Sequence, residues 1–153
     1  MPRTPPPSVE SNVPAVLVDA SALVALLDRD DAEHARCVEA LKRIRQPLAT
    51  VWPALAEAMH LLADSAPGPD ALCDMVHDSV LQLIDLQPRD VARVKLLMQK
   101  YSDLPVDFTD AALVCAAGRD GVTRIVSFDR HFEVYRLPGR KRFTVLPGRR
   151  TRP

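Results

Sequence analysis

Four acidic residues lie in or beside apolar sequence, where burying an unpaired carboxylate is costly. Asp19 ends the run Val-Leu-Val, and Asp129 follows the run Ile-Val-Ser-Phe. Glu57 lies within an apolar stretch rich in alanine, and Asp110 directly precedes another. If the four side chains meet in one cleft, a divalent metal ion is their natural partner. The pattern therefore predicts a metal-dependent hydrolase.

The chemistry of such a cluster follows from its charge. Neighbouring carboxylates repel one another and raise one another's pKa values, and Mg²⁺ or Mn²⁺ removes this conflict. These hard cations take oxygen ligands and accept the oxygens of a substrate phosphate. One ion can lower the pKa of a bound water until the water becomes a nucleophile, and a second can stabilise the leaving oxygen. Phosphodiester cleavage of this kind needs no covalent enzyme intermediate.

The elements that must hold these acids alternate between strands and helices. Short apolar runs predict strands, and apolar residues at helical spacing predict helices. The expected strands are 16–18, 48–50, 81–86, 123–128 and 143–145. The expected helices are 20–27, 30–45, one from Pro53, 70–80, one from Pro88 and 107–117, the last closed by Gly118. This alternation predicts an α/β fold with a mainly parallel sheet.

In such folds ligands bind beyond the carboxyl ends of the strands. Asp19 and Asp129 fall at such ends, and Glu57 can project from its helix toward the same edge. Asp107 and Asp110 lie three positions apart at a helix start, so they share one face. Each acid also has an ordinary structural role: a helix cap for Asp19, an exposed helical position for Glu57, and a turn position for Asp129. Of the two acids before the apolar helix, we favour Asp107 for the capping role.

Length and composition describe an ordinary globular chain. It has 153 residues, of which 47% are apolar and 26% charged, and its formal net charge is zero. No apolar stretch approaches the roughly 20 residues that cross a membrane, so we expect a cytoplasmic protein with no membrane partner. We expect a disordered proline-rich leader over 1–14, one folded domain over 15–147 and a basic tail over 148–153. The basic residues that accumulate beyond position 130 either are simply solvated or hold phosphates beside the acidic cluster.

Five further residues are assigned to structure rather than chemistry. Cys37, Cys73 and Cys115 fall in expected helices and are interpreted as reduced, buried thiols. His131 is expected at the surface, packed beside its aromatic neighbour. Trp52 could stack on an RNA base, but the packing role is favoured.

Four segments resemble, in order, the acidic motifs of PIN domains. They are Val16–Leu23, the helix around Glu57, Leu104–Leu113 and Ile125–Phe132. Each motif alone is weakly specific, but all four in this order are strong. The resemblance covers about residues 15–147 and implies a PIN-like three-layer α/β/α fold with a central, mainly parallel sheet.

The segments are most similar to the VapC-like toxins of bacterial toxin–antitoxin pairs. That resemblance implies a Mg²⁺-dependent endoribonuclease, usually a homodimer, that is inhibited by a small antitoxin protein. Mn²⁺ is the expected substitute ion and RNA the substrate. The resemblance also maps roles onto this chain, with Ser127 supporting the site and Asp107 as an auxiliary acid. The implied catalytic and metal-binding acids are Asp19, Glu57, Asp110 and Asp129.

Other functions remain to be weighed against a ribonuclease toxin. A phosphatase of the haloacid-dehalogenase type needs a second aspartate two residues after its nucleophile, where this chain has Ser21. A receiver domain needs a lysine at the end of a late strand, and Lys141 is poorly placed for that role. A non-catalytic PIN-like interaction module is disfavoured because all four acids are present. A PIN nuclease that processes RNA without an antitoxin stays open.

Overall fold

A computed structural model describes residues 15–150, so the expected leader lies outside the described residues, as do the last three positions of the basic tail. The seven strands are β1 (Val16–Val18), β2 (Leu48–Val51), β3 (Leu81–Ile84), β4 (Arg124–Val126), β5 (Arg136–Leu137), β6 (Lys141–Arg142) and β7 (Thr144–Leu146). The six α-helices are α1 (Ala20–Leu27), α2 (His34–Lys42), α3 (Trp52–Leu61), α4 (Gly68–His77), α5 (Val91–Lys100) and α6 (Phe108–Asp120). Short 3₁₀ turns cover Pro88–Asp90, Arg130–Glu133 and Pro138–Arg140.

Five strands form one sheet in the order β3-β2-β1-β4-β7, and every neighbouring pair is parallel. The central strand β1 pairs with β2 through Val16 opposite Leu48, and with β4 through Val18 opposite Val126. Because both neighbours run parallel to it, the carboxyl ends of β1 and β4 meet at one edge of the sheet. The residues that follow these two strands are therefore neighbours in space.

The sheet is covered on both faces, which explains why β1 is apolar throughout. Leu17 packs with α5 and α6 in one buried cluster, whereas Val16 and Val18 pack with α1, α3 and α4 in the other. Successive side chains of a strand point to opposite faces, so a strand between two helical layers has no solvent face. The predicted three-layer α/β/α fold with a parallel sheet is confirmed.

The end of α6 differs from the expected one. Gly118 lies inside the helix, where its Cα faces Pro138 so closely that an added Cβ would lie 3.1 Å from the proline ring. The helix instead ends at Gly121, which has the left-handed φ of 71° that closes a helix. Glycine takes this conformation without a steric cost. The prediction of Gly118 as the cap was wrong by three residues.

A small antiparallel hairpin, β5–β6, was not expected from the sequence. Its strands have two residues each, with Arg136 opposite Arg142. Such short basic strands carry no apolar alternation, so no pattern distinguished them from the surrounding loop.

Two other expectations concern the burial of the cysteines and the presence of membrane-spanning helices. Cys37 and Cys115 are buried free thiols as predicted, but Cys73 is exposed on α4, so that part of the prediction was wrong. Among the described residues, no helix has both the length and the apolar character to cross a membrane.

Candidate metal centre

Asp19 is held rigidly at the point where β1 ends and α1 begins. Its carboxylate accepts hydrogen bonds from the Ser21 hydroxyl at 2.5 Å, from the Ser127 hydroxyl at 2.5 Å and from the Ala22 N–H at 3.1 Å. The side chain is only 4% exposed, so this network replaces the water that it lost on folding. The Ala22 contact makes Asp19 the N-cap of α1. The capping role and a place in the site are therefore compatible.

The two serines tie the ends of β1 and β4 together. Ser21 Oγ accepts from the Phe128 N–H at 3.0 Å while donating to Asp19. Ser127 Oγ accepts from the Asp129 N–H at 2.9 Å while donating to the other oxygen of Asp19. Each hydroxyl uses its donor and its acceptor capacity at once. The two bridges fix the position of Asp129 relative to Asp19.

Asp129 shares its surroundings with His131. The Asp129 carboxylate accepts from the His131 N–H at 2.9 Å, and the imidazole Nδ1 lies 3.0 Å from the same oxygen. Asp110, Asp129 and His131 each offer a ligand atom within 4.8 Å of the others. His131 is half-buried and lines the acidic cleft, a place in the site that its interpretation as a surface packing residue did not include.

The first turn of α6 supplies two more acids. Asp107 is the N-cap and accepts from the Asp110 N–H at 2.8 Å, which agrees with the capping role favoured for it. Asp110 accepts from the Tyr135 hydroxyl at 2.9 Å. Burial raises the pKa of Tyr135, so the phenol keeps its proton and donates. The 25-residue separation between Tyr135 and Asp110 hid this contact from the sequence analysis.

Glu57 reaches the same place from α3. It lines a cleft of about 190 Å³ together with Asp19, Asp107, Asp110 and Asp129. The cleft lies at the carboxyl edge of the sheet, where ligands bind in folds of this kind. All four of the acids first singled out, and the auxiliary Asp107, therefore line one cleft, and among the described residues Asp110, Asp129 and His131 form the group whose ligand atoms lie within 4.8 Å of one another.

Burial and neighbouring carboxylates together set the electrostatics of the cleft. Burial raises the pKa of Asp19 to about 6, against the lowering effect of its serine and Ala22 hydrogen bonds. Burial, and next the charge of Asp107, raises the pKa of Asp110 to about 7. Burial and Asp107 also raise the pKa of Glu57 above its usual range. Each shift reports that a negative charge is disfavoured in this cleft.

The donor set fits a hard divalent cation. Four carboxylates line the cleft, and burial raises the pKa values of two of them, Asp19 and Asp110. Carboxylate oxygens are the ligands that Mg²⁺ and Mn²⁺ prefer. Asp19 Oδ2, which accepts from Ser127 alone, retains a free lone pair, whereas Oδ1 accepts from both Ser21 and Ala22. Asp19, Glu57, Asp110 and Asp129 are the residues that would hold such an ion.

Trp52 does not have the packing role expected for it. Its side chain is 57% exposed at the first position of α3, five residues before Glu57. Because Trp52 stands at the first position of its helix, next to a proline, the apolar periodicity of the sequence does not indicate whether its side chain is buried or exposed.

Removal of the Tyr135 hydroxyl tests whether Asp110 binds metal. We expect Tyr135→Phe to weaken Mn²⁺ binding by about 10–100-fold, since hydrogen bonds to a ligand carboxylate orient it and tune its charge. The measurement is isothermal titration calorimetry with Mn²⁺. Tyr101→Phe is the matched control, because the Tyr101 hydroxyl accepts from the Arg136 N–H at 2.9 Å and its ring packs on Tyr135. Equal Mn²⁺ affinities for the two variants would contradict the prediction.

The fold and the acidic cleft together define a known class of protein. The PIN domain family model matches residues 16–137, which is most of the chain, and the chain therefore belongs to the PIN domain family. The resemblance inferred from the four motifs is confirmed.

The individual proteins to which the chain is similar include two VapC proteins and a toxin–antitoxin complex. The chain is 29% identical over 136 residues to Ribonuclease VapC26 of Mycobacterium tuberculosis (strain ATCC 25618 / H37Rv), covering 86% of this chain and 100% of that protein. The crystal structure of VapC20 from Mycobacterium tuberculosis, a toxin that cleaves the sarcin–ricin loop, matches with a TM-score of 0.73 at 17% identity, over 78% of this chain and 93% of that one. A toxin–antitoxin complex from Klebsiella pneumoniae matches with a TM-score of 0.59 at 16% identity, over 75% and 87%. At these identities the two structures establish the shared fold alone.

Proposed function

We propose that this protein is a Mg²⁺-dependent endoribonuclease that acts as the toxin of a toxin–antitoxin pair. The observation that carries the proposal is the convergence of Asp19, Glu57, Asp110 and Asp129 in one cleft of a PIN domain. The relationship to Ribonuclease VapC26 supports RNA as the substrate. Since that substrate lies in the cytoplasm, the protein is proposed to act there.

The residues of the chain have distinct tasks in this reaction. A divalent ion bound by the four acids supplies Lewis acidity and a nucleophilic water at neutral pH. Ser21 and Ser127 hold Asp19 in one orientation, and Tyr135 does the same for Asp110. Asp107 fixes the first turn of α6 and adds negative charge beside Asp110. The protein therefore positions its ligands before substrate arrives, which is how preorganised sites reduce the barrier.

The antitoxin and the homodimer are proposed from the same relationship. Similar folds occur in the Klebsiella toxin–antitoxin complex and in VapBC2 from Rickettsia felis bound to a fragment of promoter DNA, the latter with a TM-score of 0.59 at 14% identity. A small inhibitory protein is therefore the partner proposed for this chain. Co-expression with the product of a neighbouring short reading frame, followed by purification of a complex, tests this part separately.

Metal-dependent RNA cleavage is the direct test of the enzyme. We expect the purified protein to cut structured RNAs in Mg²⁺ or Mn²⁺, and to lose this activity in excess EDTA with recovery when Mg²⁺ is restored. Gel electrophoresis of end-labelled transfer RNA and ribosomal RNA fragments measures the result. Cleavage that persists in EDTA would argue against a metal centre.

A non-catalytic interaction module is the second candidate function. It would bind metal and partner but cleave no RNA in any divalent ion. The full set of converging acids favours the enzyme, because an interaction module gains nothing from buried carboxylates with raised pKa values. A nuclease that processes RNA without an antitoxin would cleave RNA but yield no complex on co-expression.

A further inference from the structure

A second and larger cleft opens beside the acidic one. It has a volume of about 630 Å³, within the range of about 300–1,000 Å³ typical of ligand sites. Its walls come from the first turn of α2, the segment after β4 and the chain beyond β7. We call it the arginine groove after its basic lining residues, Arg36, Arg130, Arg149 and Arg150.

The chain beyond β7 forms one wall of this groove. Arg149 donates to Glu133 at 2.8 Å, and Arg150 lies 3.4 Å from Glu33. On the opposite wall, Arg36 donates to the Gly148 carbonyl at 2.9 Å. These contacts place residues 148–150 along one side of the groove, although the side chains of Arg149 and Arg150 remain largely exposed. They also lie beyond residue 137, where the match to the PIN family model ends.

The arginine groove and the acidic cleft are continuous. Ser127 and Asp129 line the groove, and Asp129 also lines the acidic cleft. Arg130, the next residue, is exposed at this junction and makes no ion pair within residues 15–150. A polymer chain that leaves the acidic cleft past Asp129 therefore enters a surface lined with guanidinium groups.

The floor of the groove has the chemistry of a nucleotide site. The Arg36 guanidinium lies 5.7 Å from the centre of the Phe128 ring, in cation–π contact. Aromatic rings and arginine planes are the surfaces on which unpaired RNA bases stack. Arginine also binds phosphate with two parallel hydrogen bonds.

We propose that the arginine groove binds the RNA strand next to the cleavage point, with Arg149 and Arg150 on its phosphates. The inference rests on the proposed function, since it assigns a binding subsite to that reaction. Glu133 and Glu33 form ion pairs with Arg149 and Arg150, respectively, and hold their guanidinium groups at the groove. Their ion pairs are largely solvent-exposed, with Arg149 84% and Arg150 65% exposed, and such pairs contribute little stability. Phosphates that arrive with a polyanion displace the glutamates at low cost.

The proposal is tested by two variants: one neutralises the arginines of the ion pairs, and the other neutralises their glutamate partners. Arg149→Gln with Arg150→Gln is expected to weaken binding of a fluorescent oligouridylate by about 10-fold and to lower the slope of log affinity against log salt by about 1.4. Glu33→Gln with Glu133→Gln is expected to tighten binding, because it frees the same arginines. Fluorescence anisotropy in EDTA measures both, since no metal-dependent cleavage occurs there. Arg43→Gln with Arg45→Gln is the charge-matched control, at exposed positions outside the groove.

The kinetic result separates this proposal from the proposed function. In Mg²⁺ the Arg149/Arg150 variant is expected to raise KM with kcat unchanged, the pattern for lost uniform binding. A wild type that cleaves no RNA overturns the nuclease, whereas cleavage with identical KM and salt slope in all variants overturns the groove alone. Poly-glutamate serves as a competitor. If it loses affinity in the Arg149/Arg150 variant while oligouridylate does not, the groove is a site for an acidic polypeptide and the RNA proposal is wrong.

Discussion

Asp19→Asn is expected to reduce RNA cleavage on the order of 10²–10³-fold, the usual effect of removing one preorganised electrostatic group. Asparagine keeps the size of the side chain, and its single carbonyl oxygen can still accept from Ser21, whereas its amide nitrogen can only donate to Ser127. The missing element is the negative charge that attracts a divalent ion. The rate of cleavage of an end-labelled RNA at saturating Mg²⁺ is the measurement.

The control for this variant is Asp64→Asn, which removes the same charge at an exposed position outside the cleft. Its activity is expected to equal that of the wild type. Circular dichroism should show that both variants are folded. An Asp19→Asn protein that cleaves RNA at the wild-type rate would remove Asp19 from the catalytic set and with it the proposed mechanism.

The second large effect is a fall in the stability of the metal-free protein as pH rises. The folded pKa values of Asp19 and Asp110, about 6 and about 7, lie above the ordinary value of 3.8. Between these limits the folded state binds more protons than the unfolded state, so the free energy of unfolding decreases as pH increases. The stability is full below about pH 4 and is lost as pH passes through 6 to 7. For the buried Asp19 alone the whole loss is on the order of 3 kcal/mol.

Divalent metal is expected to reverse this loss. Because a ligand of the folded state stabilises it by linkage, Mn²⁺ at about 100 times its dissociation constant adds about 2.7 kcal/mol. For a chain of this length that is an increase of roughly 5–10 °C in Tm at pH 8. Differential scanning calorimetry in EDTA and in Mn²⁺, at pH 5 and pH 8, measures both effects. The double variant Asp19→Asn with Asp110→Asn should show no metal response and a smaller pH-dependent loss, the remainder coming from Glu57. A wild-type melting curve that saturating Mn²⁺ leaves unchanged would contradict a preformed site.

The acids could be predicted from the sequence because their positions obey local rules. Asp19 and Asp129 follow apolar runs, and a parallel sheet brings the ends of such runs together. Asp107 and Asp110 share the first turn of a helix whose apolar character is unmistakable. Strand ends and helix starts are set by a few neighbouring residues, which makes them visible in one sequence.

The residues that were missed depend on contacts between distant segments. Tyr135 reaches Asp110 from a loop with no regular periodicity, and His131 enters the cleft because Asp129 caps a short 3₁₀ turn. The two glycines of α6 illustrate the same limit. Either Gly118 or Gly121 suits a helix end by residue type; in the structure the left-handed φ falls at Gly121, and Gly118 packs against Pro138 inside the helix. The groove wall formed by Gly148 needs partners more than 100 positions away.

The order of the strands has a consequence for synthesis of the protein. β1 leaves the ribosome first, but its partner β4 and the Ser127 hydroxyl that holds Asp19 come 108 residues later. Domains are completed only when their most distant pairings become available during synthesis. A nascent chain that ends before Arg124 contains Asp19, Glu57 and Asp110 but lacks β4, the strand that brings Ser127 and Asp129 to them. The acidic cleft is therefore assembled only after about four fifths of the chain has been translated.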